Sequence, residues 1–189
     1  LTSSGRTTNE LTDQLSGPIT ITASDAVLQD VAVQKLFCEG VALINQESLT
    51  ATFPSNSRFD SLYIDVKMAN GKANLAPLRA ELAGISLTGT GSLALATQTF
   101  KAKFKARLSS GLGEEDTACR VNERITSIDW PVACKGSLSG EPGDWCSVAT
   151  GDILKDLATQ EAGRKVKEKL QEKLGGDAGK LLDGWLNKK

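Results

Sequence analysis

Phe100-Lys101-Ala102-Lys103-Phe104-Lys105-Ala106-Arg107-Leu108 is the stretch that decides the fold class. Phe100, Ala102, Phe104, Ala106 and Leu108 alternate without a break with Lys101, Lys103, Lys105 and Arg107. A period of two belongs to an extended strand with one dry and one wet face. Antiparallel sheets provide that arrangement. At ~3.4 Å per residue, a strand from Gln98 to Leu108 reaches roughly 35 Å.

The same period continues on both sides. Upstream, Ile85, Leu87, Gly89, Gly91, Leu93 and Leu95 share one face, with Ser86, Thr88, Thr90 and Ser92 between them. Leu75 to Leu82 is a further strand, and Pro77, which cannot donate to a ladder, predicts an edge or a bulge. Leu62, Ile64, Val66 and Met68 oppose Tyr63, Asp65 and Lys67, and Asn70-Gly71 supplies a tight primed turn. Ile19-Thr20-Ile21-Thr22 is a half-buried strand. Downstream, Ile128, Trp130, Val132, Cys134, Gly136 and Leu138 fall on one face, with Pro131 on the other, again predicting an edge or bulge.

The period changes in two places. Val33, Leu36, Phe37, Gly40, Val41 and Ile44 recur at helical spacing and predict a helix over 32–45, with Cys38 one position off the stripe. Asp152 caps a second helix running towards Leu174, in which Leu154, Ala158, Ala162, Val166, Leu170 and Leu174 stack at intervals of four. A short opening helix is expected around Asn9–Leu15. Gly175-Gly176 stops the second helix before Leu181, Leu182, Trp185 and Leu186. The class is therefore α+β, mainly antiparallel β, with two main amphipathic helices. Residues 1–174 read as one domain and 175–189 as an amphipathic tail.

Composition narrows function by exclusion. The chain has 189 residues, 22 Lys+Arg against 23 Asp+Glu, four cysteines and no histidine. Without histidine there is no His triad, no His metal site and no ordinary general base. A net charge of −1 gives no general attraction to nucleic acid. Val41-Ala42-Leu43-Ile44 is the longest aliphatic run, far short of the ~20 residues of a spanning helix. Gly89-Thr90-Gly91 lacks the third glycine of a dinucleotide loop and reads as a strand with close backbone approach. Asp65 and Asp129 fall on solvated faces, and no lysine is placed to activate a serine. The basic ridge 101–107 points away from Phe100 and Phe104, unlike sheets that stack bases. It reads as a solvated face that discourages edge aggregation. Neither an enzyme nor a nucleic-acid binder is expected, and no cofactor or metal.

Cys38, Cys119, Cys134 and Cys146 are even in number and contain no CxxC pair, so disulfides and an oxidising compartment are expected rather than zinc. Spacing does not fix the pairing. Cys119–Cys134 would pin the polar 109–124 segment to the last strand and leave Cys38–Cys146. The alternative pairs Cys134 with Cys146.

Several strings together resemble the carboxyl-terminal region of the AsmA family. They are Ser16-Gly17-Pro18-Ile19-Thr20-Ile21 with Asp25-Ala26-Val27-Leu28-Gln29-Asp30-Val31-Ala32, Phe59-Asp60-Ser61-Leu62 with Ala69-Asn70-Gly71-Lys72-Ala73, Leu87-Thr88-Gly89-Thr90-Gly91-Ser92-Leu93-Ala94-Leu95, and Trp130-Pro131-Val132-Ala133-Cys134-Lys135-Gly136-Ser137-Leu138-Ser139-Gly140. In order they cover roughly residues 5–160, with Trp145-Cys146 resembling the cysteine-bearing version. The resemblance implies a carboxyl-terminal fragment, lacking its membrane anchor, of a protein held in the inner membrane of a Gram-negative bacterium with its bulk in the periplasm. It also implies phospholipid transfer in outer-membrane assembly.

On that view a strongly curved, groove-like or half-barrel sheet lines a trough with Leu62, Ile64, Val66, Ile85, Leu87, Leu93, Leu95, Phe100, Phe104, Ile128, Trp130 and Val132. Burying each CH₂ contributes ~0.8 kcal/mol, enough in sum to hold a phospholipid chain by apolar contact. Amphipathicity alone does not separate this open groove from a core sealed by helices 32–45 and 152–174. A rival expectation is an interaction module that meets outer-membrane assembly proteins through a strand edge or the tail.

Overall fold

Seven strands form one antiparallel sheet in strict chain order: β1 (Gly17–Leu28), β2 (Ser57–Ala69), β3 (Lys72–Leu82), β4 (Ile85–Ala94), β5 (Thr99–Leu108), β6 (Trp130–Ser137) and β7 (Cys146–Val148). The computed structural model describes residues 1–165. The backbone divides into two units, residues 1–150 and 151–189. The sheet belongs to the first. Its edges are β1 and β7, so it is not closed into a barrel. The fold is α+β, as the sequence predicts.

The hairpins β2–β3, β3–β4 and β4–β5 are tight. Asn70-Gly71 forms the first turn with φ of 52° and 67°, the primed geometry expected of that pair. Pro77 sits at a bulge: Leu75 pairs with Gly91 and Leu78 with Gly89, which leaves Ala76-Pro77 as the irregularity in β3. The ladder on the β2 side shifts at the same place. An interior strand thus accommodates proline by taking it out of register. Pro131 pairs opposite Lys105 but lies just outside the three β6 residues, Val132 to Cys134, that pair with β7.

The two long connections, residues 29–56 and 109–129, supply the helices and turns over one end of the sheet. α1 (Thr8–Asp13) precedes them, slightly earlier than expected, because Thr7 and Glu10 form a reciprocal capping box. α2 (Val33–Asn45) matches the predicted helix and buries Phe37, Cys38, Gly40, Val41 and Ala42. Its N-cap, Ala32, has no capping side chain. The fully buried Ser57 hydroxyl accepts from Val33 N at 2.8 Å and donates to Val31 O at 2.7 Å instead. The 109–129 connection is more ordered than its polarity suggests. It folds into 3-10 turns at Ser110–Glu114 and Thr117–Cys119, then α3 (Glu123–Thr126), and buries Leu112, Cys119 and Ile125. Gly84 (φ 75°) lies under this segment, and any Cβ there would overlap the backbone of Leu112.

The pairing of Cys119 with Cys134 is corrected, and the alternative that joins Cys134 to Cys146 is the one found. The bridges are Cys38–Cys119 and Cys134–Cys146, with Cα–Cα distances of 4.9 and 4.1 Å. The 109–129 connection folds onto α2, not onto β6, so Cys119 meets Cys38. Cys134 faces Cys146 because β7 pairs with β6 at that position, a strand the sequence reading did not anticipate. Two formed disulfides point to an oxidising compartment outside the cytoplasm.

Residues 150–165 are helical, so Asp152 lies within the first turn instead of capping it. The expected continuation to Leu174 and the tail with Leu181, Leu182, Trp185 and Leu186 lie outside the described residues. Among the described residues no helix is long and apolar enough to cross a membrane.

Candidate functional site

The inward face of the sheet divides into three parts. At the end where β4 and β6 begin, Ile85, Ala106, Leu108 and Trp130 are buried under a cap made of both long connections. Phe37 of α2 meets Trp130 edge-on at 6.2 Å between centroids, and Gly40 leaves room for the same indole. The cap is tied to itself in several ways. Besides Cys38–Cys119, Asn45 Nδ2 donates to Ala118 O at 2.9 Å and Arg120 O at 3.1 Å, and Arg120 pairs with Glu47 at 2.5 Å.

Asp116 is the polar centre of that cap. Its carboxylate accepts from Thr50 N at 2.6 Å, Ala51 N at 2.7 Å and Ala118 N at 2.8 Å. Those backbone donors, Ala51 first, hold its pKa down at about 2. At the opposite end of the sheet Val66, Met68 and Ala73 form a smaller buried cluster, flanked by Leu15, Ile19, Ile64, Leu75, Leu93 and Leu95.

Between the two lies a cavity of about 450 Å³. Its walls are the end of β1 (Val27, Leu28), the start of α2 (Val33, Leu36, Phe37), and inward side chains from β2 to β6. The last group includes Phe59, Leu62, Leu75, Leu78, Leu87, Leu93, Phe100, Phe104 and Val132. Five strands at ~4.8 Å spacing make the lining roughly 19 Å wide. Leu138, Trp145 and the Cys134–Cys146 bridge complete the wall at the β6 side. Trp145 packs edge-on against Phe100 at 5.1 Å and sits over Gly136, where a Cβ would meet its ring at 2.7 Å. A Cβ on Gly89 would likewise overlap the Phe104 ring. Gly89-Thr90-Gly91 therefore serves close packing of β4 against β5.

Half of the expected groove residues face this cavity: Leu62, Leu87, Leu93, Phe100, Phe104 and Val132. Ile64, Val66 and Leu95 belong to the cluster at the far end, and Leu93 packs there as well. Ile85, Ile128 and Trp130 are buried, at 2%, 7% and 0% exposure, away from the lining. Leu93, Phe100 and Phe104 are only half-buried. The alternation that selected Leu87 could not reveal Val33, Leu36 or Trp145, which reach the cavity through chain reversals. Leu75 and Leu78 were obscured by the bulge between them, which sends residues three apart to one side.

The outer face is polar. Asp65 accepts from Thr20 and Tyr63 hydroxyls, both at 2.8 Å. Asp129 pairs with Arg107 at 3.0 Å and Lys105 at 3.3 Å, and these two cations, Arg107 first, lower its pKa. Neither carboxylate is paired with another. Among the described residues no group of three or more His, Cys, Asp or Glu side chains could hold a metal ion. Comparison with protein-family models, curated proteins and solved structures finds no match to this chain.

Proposed function

We propose that the chain is the periplasmic part of an inner-membrane-anchored, AsmA-like protein that conducts phospholipid towards the outer membrane. In this reading the inward face of the sheet is a curved groove. Acyl chains lie along Leu62, Leu87, Leu93, Phe100 and Phe104 while headgroups stay in water, and no bond is made or broken.

The observation that carries the reading is the cavity of about 450 Å³ with an almost wholly apolar wall. It falls within the ~300–1,000 Å³ usual for ligand sites. Holding each methylene there contributes ~0.8 kcal/mol, while association itself costs ~4–15 kcal/mol. A long chain is therefore retained and a short one is not. The wall lacks the convergent polar groups that would fix one headgroup, which suits a conduit that lets lipids slide.

Native mass spectrometry after incubation with phospholipid vesicles tests this. The oxidised protein is expected to carry bound phospholipid, and Phe104→Asp to lose it while keeping its circular dichroism spectrum. Lipid-free protein under all loading conditions contradicts the reading. A second reading, a docking module for outer-membrane assembly proteins, is favoured by the β1 edge, where 11 of the 12 residues pair with β2 and, among the described residues, no strand pairs on the other side. Failure of lipid loading together with capture of an added strand peptide by β1 would favour it.

A further inference from the structure

The basic ridge acquires a different meaning once β5 is located. β5 is an interior strand, paired along its length with β4 and over most of it with β6, so its lysines protect no edge. Lysine is also depleted from strands, where threonine would serve a wet face better. Lys101 lies directly opposite Lys135 of β6, and like charges in that relation are destabilising.

The ridge has two halves. Lys105 and Arg107 share Asp129, whereas Lys101, Lys103 and Lys135 have no acidic partner among the described residues. All three are exposed. Their cross-strand neighbours are Ser92, Thr90 and Ala133, small and uncharged. The outcome is a cationic patch on the polar face of the sheet, and of its three lysines Lys101 alone also borders the cavity wall. It carries no aromatic or large aliphatic anchor of the kind that dominates protein–protein interfaces. It also carries no aromatic platform on which nucleic-acid bases could stack. Charge without an anchor suits a diffuse anionic surface.

We infer that Lys101, Lys103 and Lys135 form a docking face for the anionic headgroups of a phospholipid bilayer. Each basic residue near such a surface strengthens association about fivefold, so three give roughly a hundredfold. The attraction is screened once the Debye length falls from ~30 Å to ~8 Å, between ~0.01 M and ~0.15 M salt.

Co-sedimentation of the full chain with vesicles tests the assignment. Vesicles of phosphatidylglycerol mixed with phosphatidylcholine are compared with pure phosphatidylcholine. The expected result is binding to the mixed vesicles only, weakened roughly a hundredfold in K101S/K103S/K135S. The paired cations give the internal contrast: K105S, whose ammonium is offset by Asp129, is expected to weaken binding by less than K103S. Equal binding to both vesicle types, unchanged binding by the triple variant, or salt-independent binding each overturns the assignment. So does binding to soluble poly-glutamate with none to the mixed vesicles, which would give the face to an acidic protein instead.

Discussion

Ile85, Leu108 and Trp130 project from β4, β5 and β6 into a region covered by α2 and the 109–126 segment, and all three are at most 3% exposed. Further along the same inward face, Leu93, Phe100 and Phe104 are only half-buried and look onto a cavity of about 450 Å³. Backbone, alternation and residue type are alike in the two regions. The difference is what lies above them. Two long connections, cross-linked at Cys38–Cys119 and gathered around Asp116, seal one region. Among the described residues the other is left partly uncovered. An apolar strand face is a core where a cap reaches it and a candidate ligand wall where none does.

The largest expected effect concerns the bridges. Cys38–Cys119 closes a loop of 81 residues and Cys134–Cys146 one of 12. In a loop-entropy model these correspond to about 4.5 and about 3 kcal/mol. Denaturant unfolding of the Cys38→Ala/Cys119→Ala pair should therefore show the greater loss. The reverse order would mean that the cap is not the stronger of the two regions.

Substitution within the face sharpens the contrast. Trp130→Ala is expected to cost about 3–5 kcal/mol, because its cavity cannot collapse under the cap. Phe104→Ala should cost only about 1 kcal/mol, its ring being already half in contact with solvent. Similar values for both, measured by chemical unfolding, would remove the distinction between sealed and open.

Acid should act on the cap first. The Asp116 pKa is about 2 in the folded chain and ~3.9 when unfolded, so ionised Asp116 favours the folded state. That contribution is complete above about pH 4 and is lost as the pH falls towards 2. Asp116→Asn is expected to flatten this part of the stability profile, read by urea unfolding at stepped pH. A profile unchanged by the substitution would show that the carboxylate does not hold the cap.

The smallest effect is on the outer face. Asp129→Asn releases Lys105 and Arg107, an exposed arrangement expected to be worth under about 1 kcal/mol and to fade with salt. A larger loss would mean that this face also takes part in sealing the sheet.

Strand alternation made most of the sheet legible, because a period of two survives in Phe100–Leu108 and Ile85–Leu95 whatever covers them. Val33–Asn45 was legible for the corresponding reason at helical period. Coverage was not legible, since it depends on how residues 29–56 and 109–129 fold back over the sheet. That is why Leu93 and Ile85, identical by pattern, end half-buried on a cavity wall and in a core respectively. The favoured disulfide pairing failed on the same point, and the alternative, Cys134 with Cys146, is the one found. Nothing local to Cys119 says that its segment turns towards α2, and nothing local to Cys146 announces the three-residue strand that brings it to Cys134.

The central claim is that the uncovered region holds acyl chains and the capped region does not. Photoreactive residues placed singly at 93, 104 and 85, followed by irradiation with phospholipid and mass spectrometry, test it directly. Lipid adducts are predicted at 93 and 104 and none at 85. Adducts at no position, or equally at 85, would contradict the account.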